Sequence, residues 1–167
     1  MRLVNLLYIL RDDPDTSVGA GQVLLGKKKV RFGAGYWNGF GGGVEVGESV
    51  EQSTCREAQE EVGLTILPED LQKMAHIKFH FVEVPEYDHD VHVFITKKFT
   101  GEPRESEEMS PQWHKLSELP MQEMWPSDPY WVPLVLQQSK TIEATCTFLG
   151  REKPFPVGSF KYEEVTF

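Results

Sequence analysis

The stretch from Gly39 to Leu64 reads GFGGGVEVGESVEQSTCREAQEEVGL, and it decides the fold. A glycine cluster, Gly39-Phe40-Gly41-Gly42-Gly43, lets backbone approach a ligand closely. It lacks the spaced third glycine of a dinucleotide fingerprint and the Gly-Lys-Ser/Thr of a P-loop. Taken alone it is a turn. Beyond it, Ser49 and Gln52 form a capping-box pattern, and Gly63 suits the position just past a helix end. The spacing predicts a helix over 50–62, with Val50, Thr54, Ala58 and Val62 at intervals of four as its inward stripe.

That helix carries an unusual acidic arc. Glu57, Glu60 and Glu61 lie at i, i+3 and i+4, within roughly 100° of one another. Like charges at this spacing cost about 0.2–0.5 kcal/mol per pair, and the helix C-terminal end disfavours anions. Arg56 is the one cation on the helix, and Glu48 adds a fourth carboxylate just before it. A solvated acidic face is one account of this arc. A bound hard cation with oxygen ligands, such as Mg²⁺, is the other.

Working outward, strand-like runs recur. Leu3 to Leu10 is apolar, and Gln22 to Gly26 follows across the turn cluster Asp12-Asp13-Pro14-Asp15. Met74 to Val84 alternates with a period of two, Val91 to Phe99 follows, and Pro111 to Leu116 is a further candidate. Thr141 to Leu149 and Ser159 to Thr166 resemble a closing pair. A second helix is expected over 129–139, with Asp128 as N-cap and Pro129 in the first turn. The order indicates one α+β domain over 1–167, with a mixed sheet and helices packed on it.

Composition restricts the function. Lys and Arg total 17 against 26 Asp and Glu, a net charge of −9. Such a balance opposes binding to a nucleic-acid polymer, whose affinity rests on cationic contacts to phosphates. A small anionic substrate would need a bound cation or a local basic patch. Lys27, Lys28 and Lys29 form the only basic run, and a charged strand edge explains them equally well. Cys55 and Cys146 make no disulfide framework. The five histidines have no zinc spacing: His76/His80 and His89/His92 are read as surface or core residues. No apolar run approaches the ~20 residues of a membrane span. A soluble, cytoplasmic monomer is expected.

The pattern Gly42-x5-Glu48-x7-Arg56-Glu57-Ala58-Gln59-Glu60-Glu61-Val62-Gly63-Leu64 resembles the Nudix box. Its one departure is Ala58, where a larger aliphatic is usual. Outside the box, Phe32-Gly33-Ala34-Gly35, Trp37-Asn38-Gly39-Phe40-Gly41-Gly42, Asp90-Val91-His92-Val93-Phe94 and Met124-Trp125-Pro126-Ser127-Asp128 resemble the animal-type 8-oxo-dGTP diphosphatases, MutT relatives. The resemblance implies a Nudix fold, an α/β/α sandwich. It implies Mg²⁺-dependent, or Mn²⁺-dependent, hydrolysis of an oxidised purine nucleoside triphosphate to monophosphate and pyrophosphate. Another modified or canonical nucleotide, or a catalytically silent nucleotide-binding module, stays open.

The same resemblance assigns roles. Glu57, Glu60 and Glu61 would hold the metal, with Glu61 or Glu57 orienting the attacking water. Arg56 would hold a box carboxylate in position, and Glu48 would be a supporting acid. Glu108 matches a further metal-assisting acid, although its neighbours Glu105 and Glu107 suit a solvated loop. Lys28 would lie near the phosphates, beside Gly41 and Gly42. Asn38, Phe32, Phe79, Phe81, Trp125, Ser127 and Asp128 would line the base pocket. Ser127 departs from the relatives, which carry an acid there, so base preference is the least constrained property. Phe79 and Phe81 share a strand face that, taken alone, reads as core.

Overall fold

The computed structural model describes residues 1–15 and 21–167. Among the described residues, eight strands form one mixed sheet: β1 (Arg2–Asp12), β2 (Gly21–Lys28), β3 (Trp37–Asn38), β4 (Gln72–Phe81), β5 (His89–Thr96), β6 (Met109–Lys115), β7 (Ile142–Phe148) and β8 (Val157–Glu164). Their spatial order is β3-β2-β1-β5-β4-β7-β8, with β6 also pairing β2. The β1/β5 and β4/β7 pairs are parallel and the others antiparallel. The expected mixed sheet and closing pair are therefore present.

Strand alternation sends side chains to two cores. Leu7, Ile9, Leu24 and Phe94 pack with Phe40, Ala58 and Val62 beneath helix α1 (Val50–Val62). Tyr8, Leu10, Val23, Leu25, Ile77 and Val93 pack against Trp131 and Val132 of helix α2 (Asp128–Val132) on the other face. Helices thus cover both faces, an α/β/α sandwich. Helix α1 has the expected bounds. Ser49 and Gln52 close the capping box, and Gly63 takes the left-handed conformation at φ 73°. Ala58 is fully buried in this core.

Several sequence expectations need correction. Strand β4 stops at Phe81 rather than Val84, because the Asp88 carboxylate accepts the Phe81 N–H and turns the chain. Strand β5 starts at His89 and ends at Thr96, whose Oγ1 accepts the Lys98 N–H. The basic run is no free edge: β2 is paired on both sides. Helix α2 is short and continues as a π-helical turn, Pro133–Gln137. Pro133 has no N–H to give an α-helical bond and crowds the preceding turn, so the turn widens. Asp128 is not the N-cap. Ser127 holds that position without a side-chain cap bond, and the Asp128 Oδ2 accepts the Trp125 N–H instead.

Candidate active site

The glycine loop lies along β1. Leu7 N–H donates to Phe40 O at 2.7 Å and Asn5 N–H to Gly42 O at 3.0 Å. The Asn5 amide also donates to Ser53 Oγ on α1 at 2.9 Å, tying strand, loop and helix together. Close approach to backbone demands glycine at position 41, and at position 42 a side chain would displace the Glu57 carboxylate. A Cβ at Gly41 would stand 2.1 Å from the Asn5 carbonyl oxygen, and one at Gly42 would stand 2.4 Å from Glu57 Oε1.

Arg56 organises the carboxylates. Its guanidinium donates to Glu48 at 2.8 Å, Glu57 at 3.0 Å and Glu60 at 3.2 Å, and to the Gly43 carbonyl at 3.3 Å. Hydrogen bonding to Arg56 holds the Glu48 carboxyl down at about 2. Glu61 is buried and accepts the Gly41 N–H at 2.9 Å. Burial pushes its carboxyl up to about 8, with the Gly41 N–H and nearby Lys28 acting in the opposite direction. Burial also raises Glu57. Arg56 thus sits between an ionised acid in the loop before the helix, Glu48, and a helix face that carries two acids, Glu57 and Glu61, whose charge is costly without a cation.

A cleft of about 620 Å³ joins this acidic end to an aromatic one. Gly41, Gly42, Lys28, Glu57, Glu60 and Glu108 line the first end. Phe32, Phe79, Phe81, Trp125, Ser127 and Asp128 line the second, and Asn38 also lines the cleft. Glu61 sits beneath the loop and Glu48 behind Arg56, one step removed from the cleft surface. Glu108 pairs with Arg31 at 3.1 Å, while Glu105 pairs with Lys29.

At the aromatic end, Phe32 packs 5.0 Å from Trp125 and 4.8 Å from Tyr87, between ring centroids. Phe81 stacks on Phe148 at 4.7 Å. Ser127 and Asp128 are both buried, and Ser127 Oγ lies 3.4 Å from Asp128 Oδ1. Burial pushes the Asp128 carboxyl up to about 7. Asn38 Oδ1 accepts from the Gly39 N–H at 2.8 Å and from Tyr8 Oη at 3.4 Å. What Asn38 has left to offer the cleft is its amide donor.

Sequence reasoning missed Tyr87 and Phe148. Tyr87 stands on a short 3₁₀ turn, Pro85–Tyr87; the acidic run Glu86 to Asp90 marks a turn there but not that its tyrosine faces the cleft. Phe148 reaches the cleft because parallel pairing sets it beside Phe81, a partnership that alternation within one strand does not reveal. The histidine reading was also incomplete. His80 pairs with Asp88, but His76 and His92, one from each supposed pair, face each other across strands.

The donor set fits a hard divalent cation: carboxylate oxygens gathered on one helix turn, against a loop that any Cβ would obstruct. The fold and this acidic turn define a hydrolase class. The sequence profile of the NUDIX domain matches residues 5–135, and the chain belongs to that family. Nudix hydrolases generally use divalent metal ions. The chain is 51% identical over 139 residues to the oxidized purine nucleoside triphosphate hydrolase of Mus musculus, covering 83% of this chain and 82% of that one. Its identity to the protein of the same description from Danio rerio is 49% over 123 residues, covering 74% and 77%. A MutT protein from Bacillus halodurans shares the fold, with a TM-score of 0.79 over 98% of each chain at 23% identity. A MutT NUDIX hydrolase from Burkholderia pseudomallei gives a TM-score of 0.60 at 30% identity, covering 71% and 86%. Among the described residues, no helix is long and apolar enough to cross a membrane.

Proposed function

We propose that this chain hydrolyses oxidised purine nucleoside triphosphates, such as 8-oxo-dGTP or 2-oxo-dATP, to the monophosphate and pyrophosphate with Mg²⁺. The observation that carries the reading is the single cleft with two chemically opposite ends. A triphosphate with its cation suits the acidic end, and a flat purine suits the aromatic end. The names of the mouse and zebrafish relatives point the same way.

Glu57, Glu60 and Glu61 would hold the cation, with Glu108 assisting across the cleft. When bound, the cation neutralises phosphate charge in a reaction that needs little covalent help. Arg56 holds the carboxylates in register. Burial makes the carboxylates of Glu61 and Glu57 more basic, and either one, once ionised beside the cation, would be suited to take a proton from water. Lys28 adds positive charge near the phosphates. Phe32, Phe81 and Trp125 enclose the base, and Asn38, Ser127 and Asp128 offer donors and acceptors to its edge. The costly acidic turn favours this reading over a silent binding module. We read residues 1–167 as one domain, because β7 and β8 continue the same sheet. The enzyme would act as a cytoplasmic monomer on small nucleotides.

The test is pyrophosphate release from oxidised, methylated and normal purine triphosphates, with Mg²⁺ and with EDTA. Selective, Mg²⁺-dependent release from an oxidised purine is expected. Equal rates for oxidised and normal bases would remove the substrate assignment, and full activity in EDTA would remove the metal.

A further inference from the structure

His76 on β4 and His92 on β5 are direct cross-strand partners. Their strand neighbours Ala75, Ile77, Val91 and Val93 face the α2 core, so by alternation both histidines leave the sheet on the α1 face. Their ring centroids are 4.5 Å apart. Asp90 precedes His92 by two residues and so shares its face. Its Oδ1 lies 2.5 Å from His76 Nε2. One ligand atom from each of the three lies within 4.8 Å of the other two. On the far side of His76, Glu143 of β7 occupies the adjacent register position, with Oε1 3.9 Å from His76 Nδ1. His92 makes no side-chain hydrogen bond among the described residues.

From this geometry we infer a second metal site, one that binds Zn²⁺ through His76, His92 and Asp90. It goes beyond the hydrolase reading and does not depend on it. Two imidazoles and a carboxylate, with water in the fourth position, make a four-coordinate site. Ligand atoms around such an ion stand roughly 3.3 Å apart, given bonds of ~2.0–2.2 Å. With His76 and Asp90 2.5 Å apart and all three ligand atoms within 4.8 Å of one another, side-chain rotations can bring them to that spacing. Glu143 stands 3.9 Å from His76 Nδ1, and a side-chain rotation that closed this gap by about 1 Å would give the ligating histidine the orienting carboxylate that such sites generally use. The cluster borders a shallow hollow of about 590 Å³ lined by His76, Lys78, Thr145 and Lys161, which gives solvent a path to the fourth position. Nitrogen donors select a borderline ion such as Zn²⁺ and reject Mg²⁺, whereas the glutamates of α1 do the reverse. Two ions would therefore sort between two sites by hardness.

The test is calorimetric titration of the full chain with Zn²⁺ under excess Mg²⁺, which keeps the glutamates filled. One equivalent of Zn²⁺ is expected to bind. Both His76→Gln and His92→Gln should weaken it by about tenfold or more, the scale of losing a metal ligand or its support. Glu57→Gln should leave it unchanged. Co²⁺ in place of Zn²⁺ should give visible bands of a four-coordinate ion that His92→Gln abolishes. Mg²⁺-dependent hydrolysis by His92→Gln should match wild type, showing that the variant is folded. No saturable Zn²⁺ binding would overturn the site. So would binding lost in Glu57→Gln but kept in both histidine variants.

Discussion

Glu61 and Asp128 are both buried acids with raised pKa values, and they call for different tests. Gln in place of Glu61 keeps the shape and an oxygen for the Gly41 N–H, so the fold should survive. It cannot take a proton or bind a cation well. We expect Glu61→Gln to lower kcat by about two orders of magnitude or more, the usual loss for a proton carrier or metal ligand. Steady-state kinetics beside a melting curve decides it; a near-normal kcat would exclude Glu61 from the chemistry. Asp128 no longer has a capping role to explain it, since its carboxylate turns back to the Trp125 N–H. Asn can accept that bond too, but does not titrate. Burial places the folded carboxyl at about 7, above its unfolded value near ~3.9. Between these pH values the folded state keeps a proton that the unfolded state has lost. The group's stabilising contribution is therefore full below about pH 4 and fades as pH rises to about 7. Any stability advantage of wild type over Asp128→Asn should shrink across that range in urea unfolding at pH 5 and pH 8. A pH-independent difference would contradict the burial argument. If Asp128 also reads the base, kcat/KM for the oxidised purine should fall about tenfold or more, because a buried partner is left mismatched.

Among the elements, α1 was fully legible and α2 was not, and the reason is local. Ser49, Gln52 and Gly63 specify α1's ends through bonds made within a few residues, so spacing alone places them. The end of α2 depends on Pro133, and the role of Asp128 depends on which way its carboxylate turns; the sequence pattern favoured a cap for both steric and chemical reasons. Ser49→Ala should remove one reciprocal pair and cost about 1 kcal/mol, within the range for N-cap losses. Because Ser53, Arg56 and Glu57 ride on the same helix, the variant should also need more Mg²⁺ for half-maximal activity. Unchanged stability and unchanged Mg²⁺ dependence would mean that the loop contacts, not the cap, hold α1. The acidic arc was legible for the same reason as the cap: residues at i, i+3 and i+4 must share a face. That Arg56 binds Glu57 and Glu60 of the arc together with Glu48 required the folded side chains.

For the whole molecule, strand positions were readable to within a few residues, while strand partners were not. The parallel pairs β1/β5 and β4/β7 join segments far apart in the chain, and no periodicity encodes them. That is why Phe148 escaped notice. It is buried on Phe81, so Phe148→Ala should cost about 3–5 kcal/mol, as for other buried aromatics. If it also backs the purine, KM for the oxidised triphosphate should rise while the Mg²⁺ requirement stays fixed; the opposite pattern would detach β7 from the base end. The pairing of β7 on β4 also fixes an order of events during synthesis. A growing chain releases the glycine loop, α1 and its glutamates early, yet the outer edge of β4 stays bare until the final two strands emerge. A ribosome-stalled chain ending at Thr141 should therefore be cleaved by protease near β4, and adding residues 142–167 should abolish that cleavage; equal resistance in both would mean that β4 needs no cover. Between residues 141 and 148, the base end would hold Phe32, Phe81, Trp125 and Asp128 but lack Phe148, the ring that stacks on Phe81.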